Sequence, residues 1–259
     1  HNDGSDPFTM RPLNALFIQG NRDILFNMTE AANSYRFMQS LGGDVRLMTN
    51  ESGHGIPTRM LGGSQGALGP STCGRFDSLA ATRAWFDLHL RGNGFAEQSL
   101  VPEICISLGN NTGVLLNSLP VADAASTQFD PFTVTIPAAT AVTAANNNSQ
   151  TVADQAVFVP LASPIARTDR VLAGLPVANI TIDDADAAAS VNGGTTAFIG
   201  IGINRGGSLF LVDDQIEPLR ASDPRTGATP QPIELIGVGE ALQMGDVPGV
   251  LIYGSHGQY

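Results

Sequence analysis

Two kinds of hydrophobic spacing divide this chain. Up to residue 97, short apolar runs alternate with stretches of helical period. Residues 13–19 (LNALFIQ) are an apolar run bounded by Pro12 and Gly20, the pattern of a strand buried on both faces of a parallel sheet. Asn27 with Glu30 three residues later makes a capping-box-like helix start. Ala31, Tyr35, Met38 and Leu41 then recur at helical spacing, and Gly42-Gly43 stops the helix. Residues 44–49 (DVRLMT) predict a second strand, and 50–74 a loop rich in Gly and Pro. A second helix is expected over 77–90, burying Leu79, Phe86 and Leu90, with Trp85 and Leu88 widening the face.

Strand, helix, strand, loop, helix with a right-handed crossover lays the two strands side by side in parallel. Two parallel strands are not a stable sheet; three or more are needed, covered on both faces. Residues 1–97 therefore read as the closing part of a larger α/β domain. Over 98–259 the helical period disappears. Short β-rich runs recur at 104–108, 132–136, 155–159, 177–182, 196–203, 209–212, 233–238 and 249–253, the spacing of an antiparallel sandwich or jelly roll. Residues 138–153, rich in Ala, Asn and Thr, read as a surface loop. The expected fold class is α/β followed by all-β.

Composition narrows the function further. Charged residues are 14% of the 259, well under the roughly 25% of an average soluble domain. A net charge of -11 opposes nucleic-acid binding, and no apolar run approaches the ~18 residues of a membrane span. All 13 basic residues are Arg, which the codon bias of a GC-rich genome explains; residue choice otherwise leans to Ala, Gly, Thr, Asn, Ser and Asp, and such a surface suits a secreted protein. Asn27, Asn50, Asn110, Asn147 and Asn179 each begin an N-x-S/T triplet, which arises easily by chance in an Asn- and Thr-rich chain. Cys73 and Cys105 could form a bridge in an oxidising compartment or be two separate buried thiols. Residues 1–10 (HNDGSDPFTM) have neither a basic nor an apolar signal-peptide region. The chain does not open with Met, so either processing or an upstream segment is expected.

Two residues stand where an α/β sheet keeps its chemistry. Asp23 follows the end of the first expected strand by four residues, and His54 follows the second by five. Loops at the C-terminal ends of adjacent parallel strands meet. A buried carboxylate there would set the imidazole tautomer and leave the other ring nitrogen to take a proton from a nucleophile. Asp then His across one such unit is the tail of the Ser…Asp…His order. The plainer alternative is that Asp23 caps a turn or pairs with Arg22, and that His54 is an ordinary loop residue.

Residues 62–66 (GGSQG) match G-x-S-x-G, but no convincing strand precedes them and Pro70 blocks a long helix after them. Ser64 is therefore read as part of a flexible loop. His89 reads as packing or surface, and His256 has no evident partner. Asp183, Asp184, Asp186, Asp213 and Asp214 have no calcium-loop spacing. No zinc spacing or phosphate loop is found, so no metal and no cofactor is expected.

Residues 14–55 (NALFIQGNRDILFNMTEAANSYRFMQSLGGDVRLMTNESGHG) resemble the acid-to-histidine segment of the X-Pro dipeptidyl-peptidase and cocaine-esterase-like α/β-hydrolases. These share a strand ending Q-G-x-x-D, an N-x-x-E-A helix and a strand ending G-H-G. Residues 83–92 (RAWFDLHLRG) resemble that family's closing helix, and 160–182, 211–220 and 249–259 resemble its C-terminal jelly roll. The resemblance implies an incomplete α/β-hydrolase domain over 1–97 and a jelly-roll sandwich over 98–259. It also implies a serine hydrolase acting on a small ester, amide or X-Pro peptide, with Asp23 as acid and His54 as base. The family's nucleophile and oxyanion hole would precede residue 1, supplied by an upstream segment or a second chain. Such a chain alone would be inactive. A homo-oligomer is compatible with the sequence, and the alternative function is a non-catalytic binding or assembly module carrying a hydrolase remnant.

Overall fold

A computed structural model of the chain describes residues 11–53, 71–92, 99–109, 111–119, 141–142, 150–152, 156–183 and 195–256. His54, the 62–66 motif and the expected 132–136 strand lie outside these residues.

The first layer is a four-stranded sheet. Strands β1 (Ala15–Gly20) and β2 (Val45–Asn50) pair in parallel, joined by helix α1 (Met28–Ser40). Asn27 caps α1, its side-chain oxygen accepting from the Glu30 N–H at 3.2 Å. A small ladder of β3 (Thr72–Cys73) and β4 (Phe76–Asp77) leads into helix α2 (Ser78–Phe86), capped by Asp77. A π-helical turn, Asp87–Arg91, continues α2 and ends at Gly92 in the left-handed conformation. Strand β5 (Ile104–Ser107) then pairs in parallel with β2, and β6 (Gly113–Leu116) returns antiparallel to β5. The sheet order is β1-β2-β5-β6. The expected need for a third parallel strand is thus met by β5, a run that the sequence pattern had assigned to the antiparallel region.

The two helices cover opposite faces, as the period of two along each strand requires. Met28, Ala31, Ala32 and Tyr35 of α1 pack with Leu47, Ile104 and Ile106. On the other face Ala81 packs with Met48, Phe76, Cys73 and Cys105, while Ala84 and Trp85 pack with Val101. Cys73 and Cys105 form a disulfide that ties β3 to β5.

The expected apolar face of α2 is corrected here. Leu79, Phe86 and Leu90 are 57%, 55% and 77% exposed, and the sheet instead receives Ala81, Ala84 and Trp85. Both sides of this helix are apolar, so periodicity alone does not choose between them. Packing selects the side that carries Ala81, Ala84 and Trp85, which meets Met48, Cys105 and Val101.

The second layer is built on strands. Short β7 (Ala141–Val142) and β8 (Gln150–Val152) lie within the stretch expected to be a loop. Strands β9 (Val157–Pro160), β10 (Val171–Gly174), β11 (Val177–Asn179), β12 (Thr196–Arg205) and β13 (Ser208–Val212) follow. After them come β14 (Glu217–Arg220), β15 (Pro232–Glu234), β16 (Val238–Ala241), β17 (Val247–Tyr253) and β18 (Ser255–His256). An antiparallel sheet has the order β8-β13-β12-β17-β9, with β14 also on β12. Separate ladders join β10 to β16 and β11 to β15.

Alternation along β12 sorts two cores. Ala197, Ile199, Ile201 and Ile203 face a cluster that includes Ile233 and Val238, with Leu172 and Ala178 against it. The opposite face holds Phe198, Leu211, Leu251 and Tyr253. Gly200 and Gly202 lie on that second face because Leu211 and Leu251 cross there; a Cβ on Gly202 would sit 2.5 Å from the Leu251 side chain.

Candidate functional site

The loops after β1 and β2 run side by side beyond the sheet. Asn21 N–H donates to the Asn50 carbonyl (2.7 Å) and Arg22 N–H to the Ser52 carbonyl (3.3 Å), prolonging the parallel ladder past both strand ends. Such an approach needs glycine at the last position of β1: a Cβ on Gly20 would lie 2.1 Å from the Ser52 carbonyl oxygen. Ser52 is itself held by Asn50, whose side-chain oxygen accepts from the Ser52 N–H (2.9 Å) and hydroxyl.

Asp23 lies in the first of these loops, buried. Its Oδ1 accepts from the N–H groups of Leu25 and Phe26, both at 2.9 Å, so one carboxylate oxygen holds the turn. The neighbouring Arg22 guanidinium reaches Glu51 Oε2 at 3.4 Å. His54 follows Gly53, the last described residue of the second loop.

Below the loops is a buried polar network that sequence reasoning missed. Glu51 Oε1 accepts from the Ser107 hydroxyl (2.6 Å), the Gly109 N–H (3.0 Å) and the Asn21 amide (3.4 Å). The Asn21 amide also donates to the Ser107 carbonyl (3.0 Å), and the Ser107 N–H donates to Thr49 Oγ1 (2.8 Å). Asn21, Arg22, Glu51 and Ser107 are all buried. One carboxylate thus ties the ends of β1, β2 and β5 together. No local motif announces Glu51; its partners come from the ends of two other strands, β1 and β5.

The β-rich layer reaches the same place. Asp213 and Asp214 are buried in the turn between β13 and β14, and Asp213 Oδ2 accepts from the Gly239 N–H at 2.8 Å. Burial raises the Asp213 carboxyl well above its usual range, and the nearby Glu51 charge adds to this; the Gly239 bond and Arg22 act in the opposite sense. The next residue, Gln215, donates from its amide to the carbonyls of Asn21 (2.5 Å) and Asp23 (3.1 Å). Elsewhere Arg205 pairs with Asp246 (2.8 Å) and Glu240 (3.2 Å), and burial raises the Glu240 carboxyl despite that partner.

Among the described residues no group of three or more His, Cys, Asp or Glu side chains could hold a metal. His89 lies at the opposite end of the sheet from Asp23. Its Nδ1 is 2.9 Å from the Asn14 amide, its ring meets Trp85 edge-on, and its Nε2 is 3.4 Å from Asp44. Among the described residues no helix is long and apolar enough to cross a membrane.

No protein-family model matches this chain, and no curated protein matches it. Among solved structures, an aminopeptidase from a marine sediment archaeon, Thaumarchaeota archaeon, is similar with a TM-score of 0.51 at 15% identity. The match covers 95% of this chain and 48% of that one. A CocE/NonD family hydrolase from Staphylococcus aureus aligns with a TM-score of 0.48 at 15% identity, over 94% of this chain and 46% of that one. The first likeness establishes a fold shared with part of a hydrolase and leaves the activity to chemistry. The chain spans about half the length of both structures.

Proposed function

We propose that this chain is part of a secreted serine hydrolase that cleaves a small ester or amide, X-Pro peptides included, through an acyl-enzyme. Asp23 is its acid and His54 its base. The observation that carries this reading is the backbone pairing of the two loops, Arg22 N–H to the Ser52 carbonyl at 3.3 Å. It holds Asp23 beside the segment that leads into His54. Oδ1 already accepts two turn N–H groups, so the imidazole is assigned to Oδ2. His54 would take the proton of an attacking serine and return it to the leaving group, with Asp23 holding its tautomer.

The serine and oxyanion donors are assigned to a preceding segment or a second chain. Two observations support that assignment. The structural likeness covers only about half of the aminopeptidase. Strand β1 has a partner on one side only among the described residues, and Ile18 on it is exposed. The β-rich layer is read as a jelly-roll sandwich, a reading supported by the apolar face of β12 packing under the two short ladders. Secretion is supported by the Cys73–Cys105 disulfide.

One observation favours the rival, a non-catalytic module: Asp23 has a sufficient structural role in its own turn. A fluorophosphonate probe on the full-length protein separates the two. Labelling of a serine before residue 1, slowed at least about a hundredfold by Asp23→Asn and by His54→Gln, supports the hydrolase. Labelling of Ser64 would overturn the assignment of the nucleophile. Labelling unaffected by both substitutions, or no labelling, would overturn the acid–base pair in favour of the module.

A further inference from the structure

The turn between β13 and β14 is built at a conformational cost. Asp213 and Asp214 have φ of +55° and +57°, two successive non-glycine residues in the left-handed region that L side chains rarely adopt. The turn is closed by the Gln215 N–H on the Val212 carbonyl (3.2 Å) and anchored by Asp213 on the Gly239 N–H (2.8 Å). It also presses on β12: a Cβ on Gly200 would lie 2.7 Å from the Gln215 carbonyl oxygen. Strain of this kind persists only where surrounding structure over-determines it, and it marks a place where aiming a side chain matters.

What this turn aims is Gln215. Its side chain, 2% exposed, crosses from the β-rich layer and donates from one amide nitrogen to two carbonyls, those of Asn21 and Asp23. These flank Arg22, whose guanidinium is held from the sheet side by Glu51. The loop bearing Asp23 is therefore gripped from both layers.

We infer that Gln215 is a positioning residue for Asp23, acting through the backbone of the acid loop, and that the strained Asp213-Asp214 turn exists to present it. This rests on the reading of Asp23 and His54 as an acid–base pair. A buried amide donating to the carbonyl of Asp23 itself limits rotation of that residue and so sets where its carboxylate points. The β-rich layer then contributes to the geometry of the acid without touching the reacting atoms.

The test uses ring-nitrogen NMR of histidine-labelled full-length protein, with the His54 signal assigned through His54→Gln. Asp23→Asn is expected to lower the His54 pKa by roughly one unit or more, because an adjacent carboxylate favours the imidazolium. Gln215→Met, which keeps length and removes the donors, is expected to produce at least half of that shift. It should also speed amide exchange at Leu25 and Phe26 about tenfold, with β12 and β17 still protected. A loss of packing alone would lower the melting temperature and leave the His54 titration in place. Gln215→Asn, too short to reach both carbonyls, gives the same reading if the Met variant fails to fold. A His54 shift with Asp23→Asn but none with either Gln215 variant overturns the inference and leaves the acid–base pair standing. No shift with Asp23→Asn overturns the pair itself.

Discussion

Glu51→Ala is expected to be among the most damaging single substitutions in the chain, and the structure sets the size. The carboxylate is buried and accepts from the Ser107 hydroxyl, the Gly109 N–H and the Asn21 amide, while pairing with buried Arg22. Removing one partner of a buried ion pair costs about 3–5 kcal/mol, because the other charge is left uncompensated. Asp213 moderates this. The Glu51 charge is one cause of its raised pKa, so without Glu51 it ionises more readily and takes over part of the Arg22 charge. The expected loss is therefore near the lower end, about 3 kcal/mol. Glu51→Gln leaves Arg22 equally uncompensated but keeps an acceptor for Ser107 and Gly109, so it should cost about 1 kcal/mol less than the Ala variant. Urea unfolding followed by tryptophan fluorescence measures both, since Trp85 is the single tryptophan and is buried on the face of the same sheet. With a slope near 3 kcal/mol/M, the Ala variant should unfold at about 1 M less urea. A Glu51→Ala variant within about 1 kcal/mol of the parent would refute the argument, as would a Gln variant equally destabilised.

Three further outcomes are expected. Asp213 has a folded-state pKa above its unfolded value, so the folded chain binds more protons between the two. Its contribution therefore weakens stability as pH rises from the ordinary carboxyl range toward the folded value. Asp213→Asn should flatten that decline in a pH series of unfolding curves, and an unchanged slope would count against the raised pKa. On α2, Trp85→Ala should cost about 3–5 kcal/mol, whereas Leu90→Ser should stay within about 0.5 kcal/mol; similar losses in chemical denaturation would mean that the helix face is assigned wrongly. The disulfide closes a separation of 32 residues, worth about 3–4 kcal/mol by loop-closure entropy. Replacing both cysteines with serine should lower the melting temperature accordingly, and a variant that melts with the parent would remove the bridge from the account.

Local pattern was enough for some elements and missed others: β6, β7, β8, β10 and β14 fall in none of the expected runs. The apolar run ending at Gly20, the Asn27 cap and the Gly42-Gly43 stop predict β1 and α1 to within two residues, because short-range sterics and hydrogen bonding define them. The β-rich run 196–203 likewise announces a strand, which the structure extends to Arg205. The positions of Asp23 and His54 after successive strands made a site at that end of the sheet legible as an expectation. The placement of Asp23 in the loop after β1 follows from chain order alone.

Everything that joins distant segments required the tertiary structure. Which side of α2 faces the sheet depended on the partners that Ala81, Ala84 and Trp85 meet there. That residues 104–107 pair in parallel with β2 depended on a partner more than fifty residues away. Glu51 and Gln215 carry no local signature, since their partners lie on other strands and, for Gln215, in the other layer. A sequence states its periods and its caps, which are properties of neighbours in the chain. Buried polar satisfaction is a property of neighbours in space, and only the folded chain decides it.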